Sequence, residues 1–454
     1  MLRSLLAGAA ALLSLSISAQ DLGGLPRAGD LGFRPAGTPE GRIAVAAIVP
    51  DTPIARAGLQ KGDVIERING QAVGNTREWF AARRTATGGK QTEVVVSRAG
   101  QAHTLRFVAA PIPLEKHEGL ETIYTSAAAR DARADFRVRV IVTKPAGTGP
   151  TSNTPRLPAV IFIPWLSCGT TDYPRGPSDG WGKMLLQAAR ESGALMARIE
   201  KSGSGDSNGT ICGDADLDAD MAGFRAGIAM VAARDDVDPK RIVLFGGSIG
   251  AALAPVLARE ISGRNDRGKI EFAGIVAAGG FAKTWLEHML EVERRRLALS
   301  GAAPDTIAAA MRGYADLYSG YLNGGATPGE VIAKRPDLKA LWTDEPAHQY
   351  GRPARYFQQV QKLDVWGAWM SQRAPALLVH GEYDWIMSAD DPAMVVNALN
   401  AKKPGQATLL LAPKMDHHFD RYPSQAAAFM EEGGSYDTDT VDKMVAWIRA
   451  RVAR

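Results

Sequence analysis

Eight short apolar runs recur along the later part of this chain, at residues 120–125, 136–143, 159–164, 194–199, 241–245, 272–277, 376–380 and 407–411. Helical patterns separate or follow them at 180–192, 214–234, 249–262, 391–400 and 438–453. A run that is apolar along its whole length suits a strand buried on both faces, and parallel neighbours need helical crossovers. The alternation therefore predicts an α/β unit over 120–454, with a mostly parallel sheet and helices on both sides. The interval 282–372 breaks the pattern. It is helix-rich and carries Trp285, Trp342, Trp366 and Trp369. An insertion of that length between two strands is expected as a helical cap over the C-terminal edge of the sheet, where sites in such sheets lie.

Charge and cysteine content narrow the function classes. The 454 residues hold 53 Lys and Arg against 49 Asp and Glu, a net charge of +4. That balance argues against a nucleic-acid binder working through a broad basic face. Two cysteines exclude a Cys-rich zinc module, and no His-Glu-x-x-His spacing occurs, so no metal and no cofactor is implied. Residues 1–19 read as a leader: Arg3, an apolar stretch from Leu5 to Ile17, then Ser18-Ala19 before polar Gln20-Asp21. Cleavage is expected after Ala19, with export to the periplasm or beyond. No later stretch is long and apolar enough to predict a membrane span. In an oxidising compartment Cys168 and Cys212 can form one disulfide.

Residues 20–28 are rich in Gly and Pro and read as a linker, and 111–119 as a second boundary. Between them, Arg42–Val49 is strand-like, Pro50-Asp51-Thr52-Pro53 a turn, and Ile54–Leu59 a short helix ending at Gly58. Val64–Ile68 is a strand closed by the hairpin signal Asn69-Gly70. A helix follows over 76–84 with Thr76 as its N-cap, then strands at 91–98 and 102–109. The ordered string Ala55-Arg56-Ala57-Gly58-Leu59-Gln60-Lys61-Gly62-Asp63-Val64-Ile65, with Ile68-Asn69-Gly70, resembles the bacterial PDZ family over 29–110. The resemblance makes Leu31, Gly32 and Phe33 the loop that offers backbone N–H groups to a peptide C-terminal carboxylate, the peptide adding a strand to the sheet edge.

Gly-x-Ser-x-Gly occurs around Ser178, Ser207 and Ser248. A nucleophile on such a motif needs a tight turn between strand and helix that lifts the hydroxyl above the sheet. Ser178 has no strand before it, and Ser207 has loop on both sides. Ser248 follows the buried strand Arg241–Phe245 and Gly246-Gly247, and precedes a helix, so it is the candidate nucleophile. A serine needs a base, and the base an orienting acid. Asp384 stands in the turn after strand 376–380, with Glu382 and then Asp390 as rivals. The base is His417 or its neighbour His418, with His417 preferred. His288 and His348 fall in the cap as substrate contacts or surface, and His380 as a structural hydrogen-bonder.

Phe245-Gly246-Gly247-Ser248-Ile249-Gly250, His380-Gly381-Glu382-Tyr383-Asp384 and Asp416-His417-His418-Phe419 together resemble the α/β-hydrolase family of serine esterases and peptidases. The resemblance implies an oxyanion hole from the N–H of Ile249 and that of Trp165 or Leu166. Pro164-Trp165-Leu166-Ser167-Cys168-Gly169 lacks the His-Gly pair often found there, which leaves both second donors open. Glu200-Lys201-Ser202-Gly203-Ser204-Gly205-Asp206-Ser207 looks like the family's loop after the fourth strand, which accounts for Ser207 without catalysis. That loop leads to Cys212 and the oxyanion loop to Cys168, so the family likeness implies a Cys168–Cys212 disulfide. The expected activity is hydrolysis of small-molecule carboxylic esters. Alternatives are a peptidase served by the PDZ groove, and a PDZ-led binding protein with the hydrolase unit as scaffold.

Overall fold

The computed structural model describes residues 22–148, 155–262 and 270–453; the expected leader, 1–19, lies outside them. The large unit is built on eight strands: β1 Leu120–Arg130, β2 Asp135–Pro145, β3 Leu157–Ile163, β4 Leu195–Ile199, β5 Val237–Gly247, β6 Phe272–Ala278, β7 Ala376–Gly381 and β8 Ala407–Ala412. Their order across the sheet is β8-β7-β6-β5-β3-β4-β2-β1. β2 runs antiparallel to both β1 and β4, and every pairing from β4 to β8 is parallel. This is the mostly parallel α/β sheet that the alternation foretold. Winding reverses at β3, which lies between β4 and β5. Such a reversal leaves a crevice beyond the C-terminal strand ends.

Successive side chains of β3 point to opposite faces, as the strand period requires. Ala159, Ile161 and Ile163 join the core with helices Leu217–Ala232 and Ile249–Ile261. Val160 and Phe162 join the other, with helices Gly180–Glu191 and Thr438–Val452. Five α-helices and two short helical turns between β6 and β7 form the cap, the first α-helix Trp285–Leu299 and the last Val365–Met370. Trp285, Tyr321, Phe357 and Trp369 are buried and continuous with the first core. Most cap aromatics are therefore packing, while Tyr350 and Trp366 are exposed.

The N-terminal unit has its own core around Ile54, Ile65, Trp79 and Val94. Phe33–Gly37, Ile43–Ile48, Val64–Ile68, Gln91–Arg98 and Gln101–Val108 form its antiparallel sheet in that order. Asn69 and Gly70 turn the Val64–Ile68/Gln71–Ala72 hairpin with φ of 47° and 80°. Helix Thr76–Arg83 is capped by Asn75, whose side chain accepts the Glu78 N–H. Thr76, expected as the cap, is instead the first helical residue: Asn75 has the extended backbone the capping position requires.

Segment 22–28, read as a linker, is docked between the units. Leu25 and Arg27 are buried. Arg27 pairs with Asp172 at 2.5 Å and Asp206 at 2.8 Å on the large unit. Gly29–Asp30 pairs with Ala110–Pro111, which brings the two ends of the small unit together. Among the described residues no helix is long and apolar enough to cross a membrane.

Candidate active site

Ser248 sits between the end of β5 and helix Ile249–Ile261, with φ 57° and ψ −124°. A non-glycine residue with positive φ is strained and persists only where its surroundings hold it. Its N–H donates to the Ala278 carbonyl at 2.9 Å, at the end of β6. A side chain at Gly246 would collide with the Gly250 carbonyl, and one at Gly250 with the Ile163 carbonyl. The sequence folds into this turn because those two positions have no Cβ.

Three side chains from separate loops meet here. His417 Nε2 is 3.0 Å from Ser248 Oγ, and His417 Nδ1 is 2.8 Å from Asp384 Oδ2. Asp384 stands in the turn after β7, and its other oxygen accepts the Ile386 and Met387 N–H groups at 2.9 Å each. Burial raises the Asp384 pKa, but the facing His417 and His380 rings and the Met387 N–H outweigh it, holding the carboxyl below its usual range. Gly279, at φ 57°, leaves room for His417: a Cβ there would lie 2.9 Å from its Cε1. All three members are at most 9% exposed.

The other candidates are placed elsewhere. Glu382 is exposed and accepts the Lys414 N–H; Asp390 is exposed at the start of a helix. His418 bonds Asp416 at 3.3 Å, which raises its pKa. Ser178 is exposed. Ser207 is buried, and its hydroxyl accepts the Arg139 N–H at 2.9 Å. His380, expected as a hydrogen-bonder, has no partner on Nδ1, and burial lowers its pKa.

A cavity of about 730 Å³ opens over Ser248 and His417. Leu166 and Ile249 line it beside Ser248 and His417, while Trp165 does not. The Trp165 ring packs on Phe162 and Trp181. The walls are apolar at Trp285, Val292, Leu341 and Met387. The cap adds polar groups that the sequence did not single out: Glu293 bonds Arg296 at 2.9 Å, and Arg296 bonds the Tyr314 hydroxyl at 2.9 Å. Their Glu-x-x-Arg spacing on a helix was a signal, but a solvated pair reads the same way. His288 also lines the cavity; it stacks on Phe281, and burial takes its pKa down to about 3.

Cys168 and Cys212 form a disulfide with Cα atoms 5.7 Å apart, joining the loops after β3 and β4. No group of three or more His, Cys, Asp or Glu among the described residues could hold a metal. In the small unit, the Gly32 N–H already donates to Asp30 at 2.9 Å, and Asp30 pairs with Arg175 of the large unit. One N–H of the Leu31-Gly32-Phe33 loop is thus taken by a residue that the large unit holds, while strand Phe33–Gly37 lies at the sheet edge.

Residues 25–97 match the PDZ domain family. The magnetosome formation protease MamE of Magnetospirillum gryphiswaldense is 35% identical over 77 residues, 17% of this chain and 10% of that protein. The chain thus spans about a tenth of that relative's length. Solved structures similar to this chain include an esterase of Pyrobaculum calidifontis, 18% identical, covering 75% of this chain and 88% of that one at a TM-score of 0.43. A bacterial heroin esterase is 14% identical, covering 74% and 86%, at a TM-score of 0.40. Carboxyl esterase 2 of the fungus Tuber melanosporum is 14% identical, covering 76% and 92%, at 0.42. At such likeness nothing about substrate passes from those enzymes to this chain.

Proposed function

We propose that this chain, a PDZ domain joined to an α/β-hydrolase fold, is an exported serine hydrolase that cleaves small carboxylic esters through an acyl-enzyme. The observation that carries the reading is the buried Ser248–His417–Asp384 relay, with contacts of 3.0 and 2.8 Å. His417 takes the Ser248 proton as Oγ attacks the ester carbonyl carbon, and returns it to the departing alcohol. A water, deprotonated by the same ring, then attacks the acyl carbonyl and releases the acid and Ser248. Asp384 fixes the tautomer that leaves Nε2 free to accept, and steadies the imidazolium. The N–H groups of Ile249 and Leu166 hold the oxyanion; cavity lining favours Leu166 over Trp165.

In this reading residues 29–110 are the PDZ unit, 120–454 the hydrolase, and 282–372 its cap. The disulfide is compatible with an oxidising compartment. The peptidase alternative uses the same relay and would take a peptide C-terminus at Leu31-Gly32-Phe33; the engaged Gly32 N–H weighs against delivery there. The scaffold alternative would leave the strained Ser248 without a purpose.

The test is fluorophosphonate labelling of the mature protein beside Ser248→Ala, Ser207→Ala and Ser178→Ala, with p-nitrophenyl esters and aminoacyl-p-nitroanilides as parallel substrates. Labelling lost only in Ser248→Ala, with esters turned over faster than anilides, is the expected result. A folded wild-type protein that does not label, or that prefers anilides, overturns it.

A further inference from the structure

Lys201 is a buried ammonium with no part in the acyl transfer above. It is 2% exposed and follows β4 by two residues. Burying an ammonium opposes folding unless its charge is used. Its Nζ donates to the Trp165 carbonyl oxygen at 3.1 Å. The charged groups that face it are engaged with others. Asp220, on helix Leu217–Ala232, pairs at 2.7 Å with Arg352 from the cap. Glu200 accepts from Thr170 and Thr171.

We propose that Lys201 is a positioning residue of the oxyanion site, turning the Trp165–Leu166 peptide so that the Leu166 N–H faces Ser248. The assignment rests on the serine-hydrolase reading. A trans peptide is planar, so its C=O and N–H point opposite ways. No cis peptide occurs among the described residues. Lys201 holds the carbonyl from outside the cavity, and Leu166 lines the cavity with Ser248 and Ile249. The loop is fixed on either side of this peptide, by the Trp165 ring against Trp181 and by the Cys168–Cys212 bridge. Neither anchor sets the tilt of the peptide plane between them; Lys201 does. Were it to flip, the carbonyl would present an acceptor where the oxyanion needs a donor. A charged donor on the carbonyl also strengthens the N–H of the same peptide.

The charge state adds a distinguishing signature. Burial pushes the Lys201 ammonium down to about 8, against the pull of Asp220 and Glu200 and with Arg352 adding to the fall. The ammonium is present at neutral pH and is lost as pH rises through that value.

The test compares the full mature wild-type chain with Lys201→Met and Lys201→Arg, reading kcat, KM and the fluorophosphonate labelling rate from pH 6 to 10. Lys201→Met is expected to lower kcat and labelling by about ten- to a hundredfold, less than outright loss of a donor, with KM changed less than about threefold. Wild-type kcat falls near pH 8; Lys201→Arg regains part of the lost rate and shows no such fall, because a guanidinium keeps its proton. A folded Lys201→Met with kcat within about twofold of wild type overturns the assignment. If Lys201→Met does not fold, a fall near pH 8 persisting in Lys201→Arg overturns it. Failure of the wild type to label overturns the serine-hydrolase reading beneath it, a result separate from either variant outcome.

Discussion

Two places where this molecule buries charge are built on opposite plans. At the seam between the units, near β1, β2 and β4, the ions are cross-linked. Arg198 takes Glu115 at 2.8 Å with both guanidinium arms, and Arg27 takes Asp172 and Asp206. The Tyr124 hydroxyl donates to Asp172 and accepts the Glu115 N–H. At the sheet edge that carries Ser248, the side chains instead form a single file, Ser248 to His417 to Asp384, beside a largely apolar cavity. The seam's groups hold one another in place; the edge keeps a proton able to move along a single line. Redundancy suits an interface, and economy suits a relay.

If that contrast is right, the largest single effect belongs to the edge. Asp384→Asn keeps the shape of the turn but favours the wrong imidazole tautomer, and is expected to cost about 10⁴ in kcat. Its melting temperature should barely move, whereas the neighbouring Glu382→Gln should leave kcat within about twofold. Steady-state kinetics beside thermal melts decide this; a comparable loss in both variants would dissolve the assignment of Asp384.

Damage at the seam should do the reverse. Glu115→Gln leaves buried Arg198 without its counter-charge and is expected to cost about 3–5 kcal/mol in urea unfolding. The kcat of the folded fraction should hold. Burial works against the Glu115 carboxylate, yet Arg198 wins and holds its pKa at about 2. Since the folded value lies below the unfolded one, near 4.5, the pair's stabilisation is complete above 4.5 and drains as pH falls toward 2. Wild-type stability should drop across that window and Glu115→Gln should lack that part of the drop. Parallel curves for the two proteins would show that Glu115 is not what acid attacks.

How much of this was legible in the sequence follows from the range of each interaction. Strand and helix positions came from local period and apolar runs, so the eight strands of the large sheet stand close to where the pattern put them. Ser248 was readable because its turn is local: a strand, two glycines and a helix. Asp384 and His417 were reachable as loop residues after strands, with His417 preferred over His418 but not set apart from it by any local period or run. The residues are adjacent, and only the packing of Trp181 and Gly279 around one ring separates them. Lys201 was quoted within a loop motif and given no task, because its partner lies 36 residues away and is a backbone carbonyl. The docking of 22–28 escaped for a similar reason: a Gly/Pro-rich stretch carries no sign that Arg27 finds Asp172 and Asp206. The aromatic excess of the cap is mostly packing, continuous with the first core of the sheet.

The disulfide lies between the two plans. It ties the loop after β3, which holds Trp165 and Leu166, to the loop after β4, closing 44 residues of chain. Arg352 donates to its Cys212 sulfur at 2.8 Å while holding Asp220. Cys168→Ala with Cys212→Ala is expected to cost about 2–4 kcal/mol of stability. Because Cys168 lies two residues beyond Leu166, the double variant should also lose more kcat than Glu115→Gln does. Equal kcat in the two would mean that the bridge serves the fold alone.

The smallest effect sharpens the seam itself. At its rim, Arg77 on the PDZ helix reaches Asp214 at 3.4 Å and Glu345 of the cap at 3.3 Å, all three partly exposed. Water screens such pairs, so Arg77→Ala should cost less than about 1 kcal/mol, and raised salt should erase the difference. Yet this is a direct ion pair between the PDZ unit and the cap that covers Ser248. Kinetics of Arg77→Ala therefore ask a question that its stability cannot. An unchanged KM would leave the seam as a mechanical joint whose strength sits at Glu115 and Arg27. A KM that moves while the melting temperature does not would mean that the rim, though weak, sets where the cap rests over the cavity.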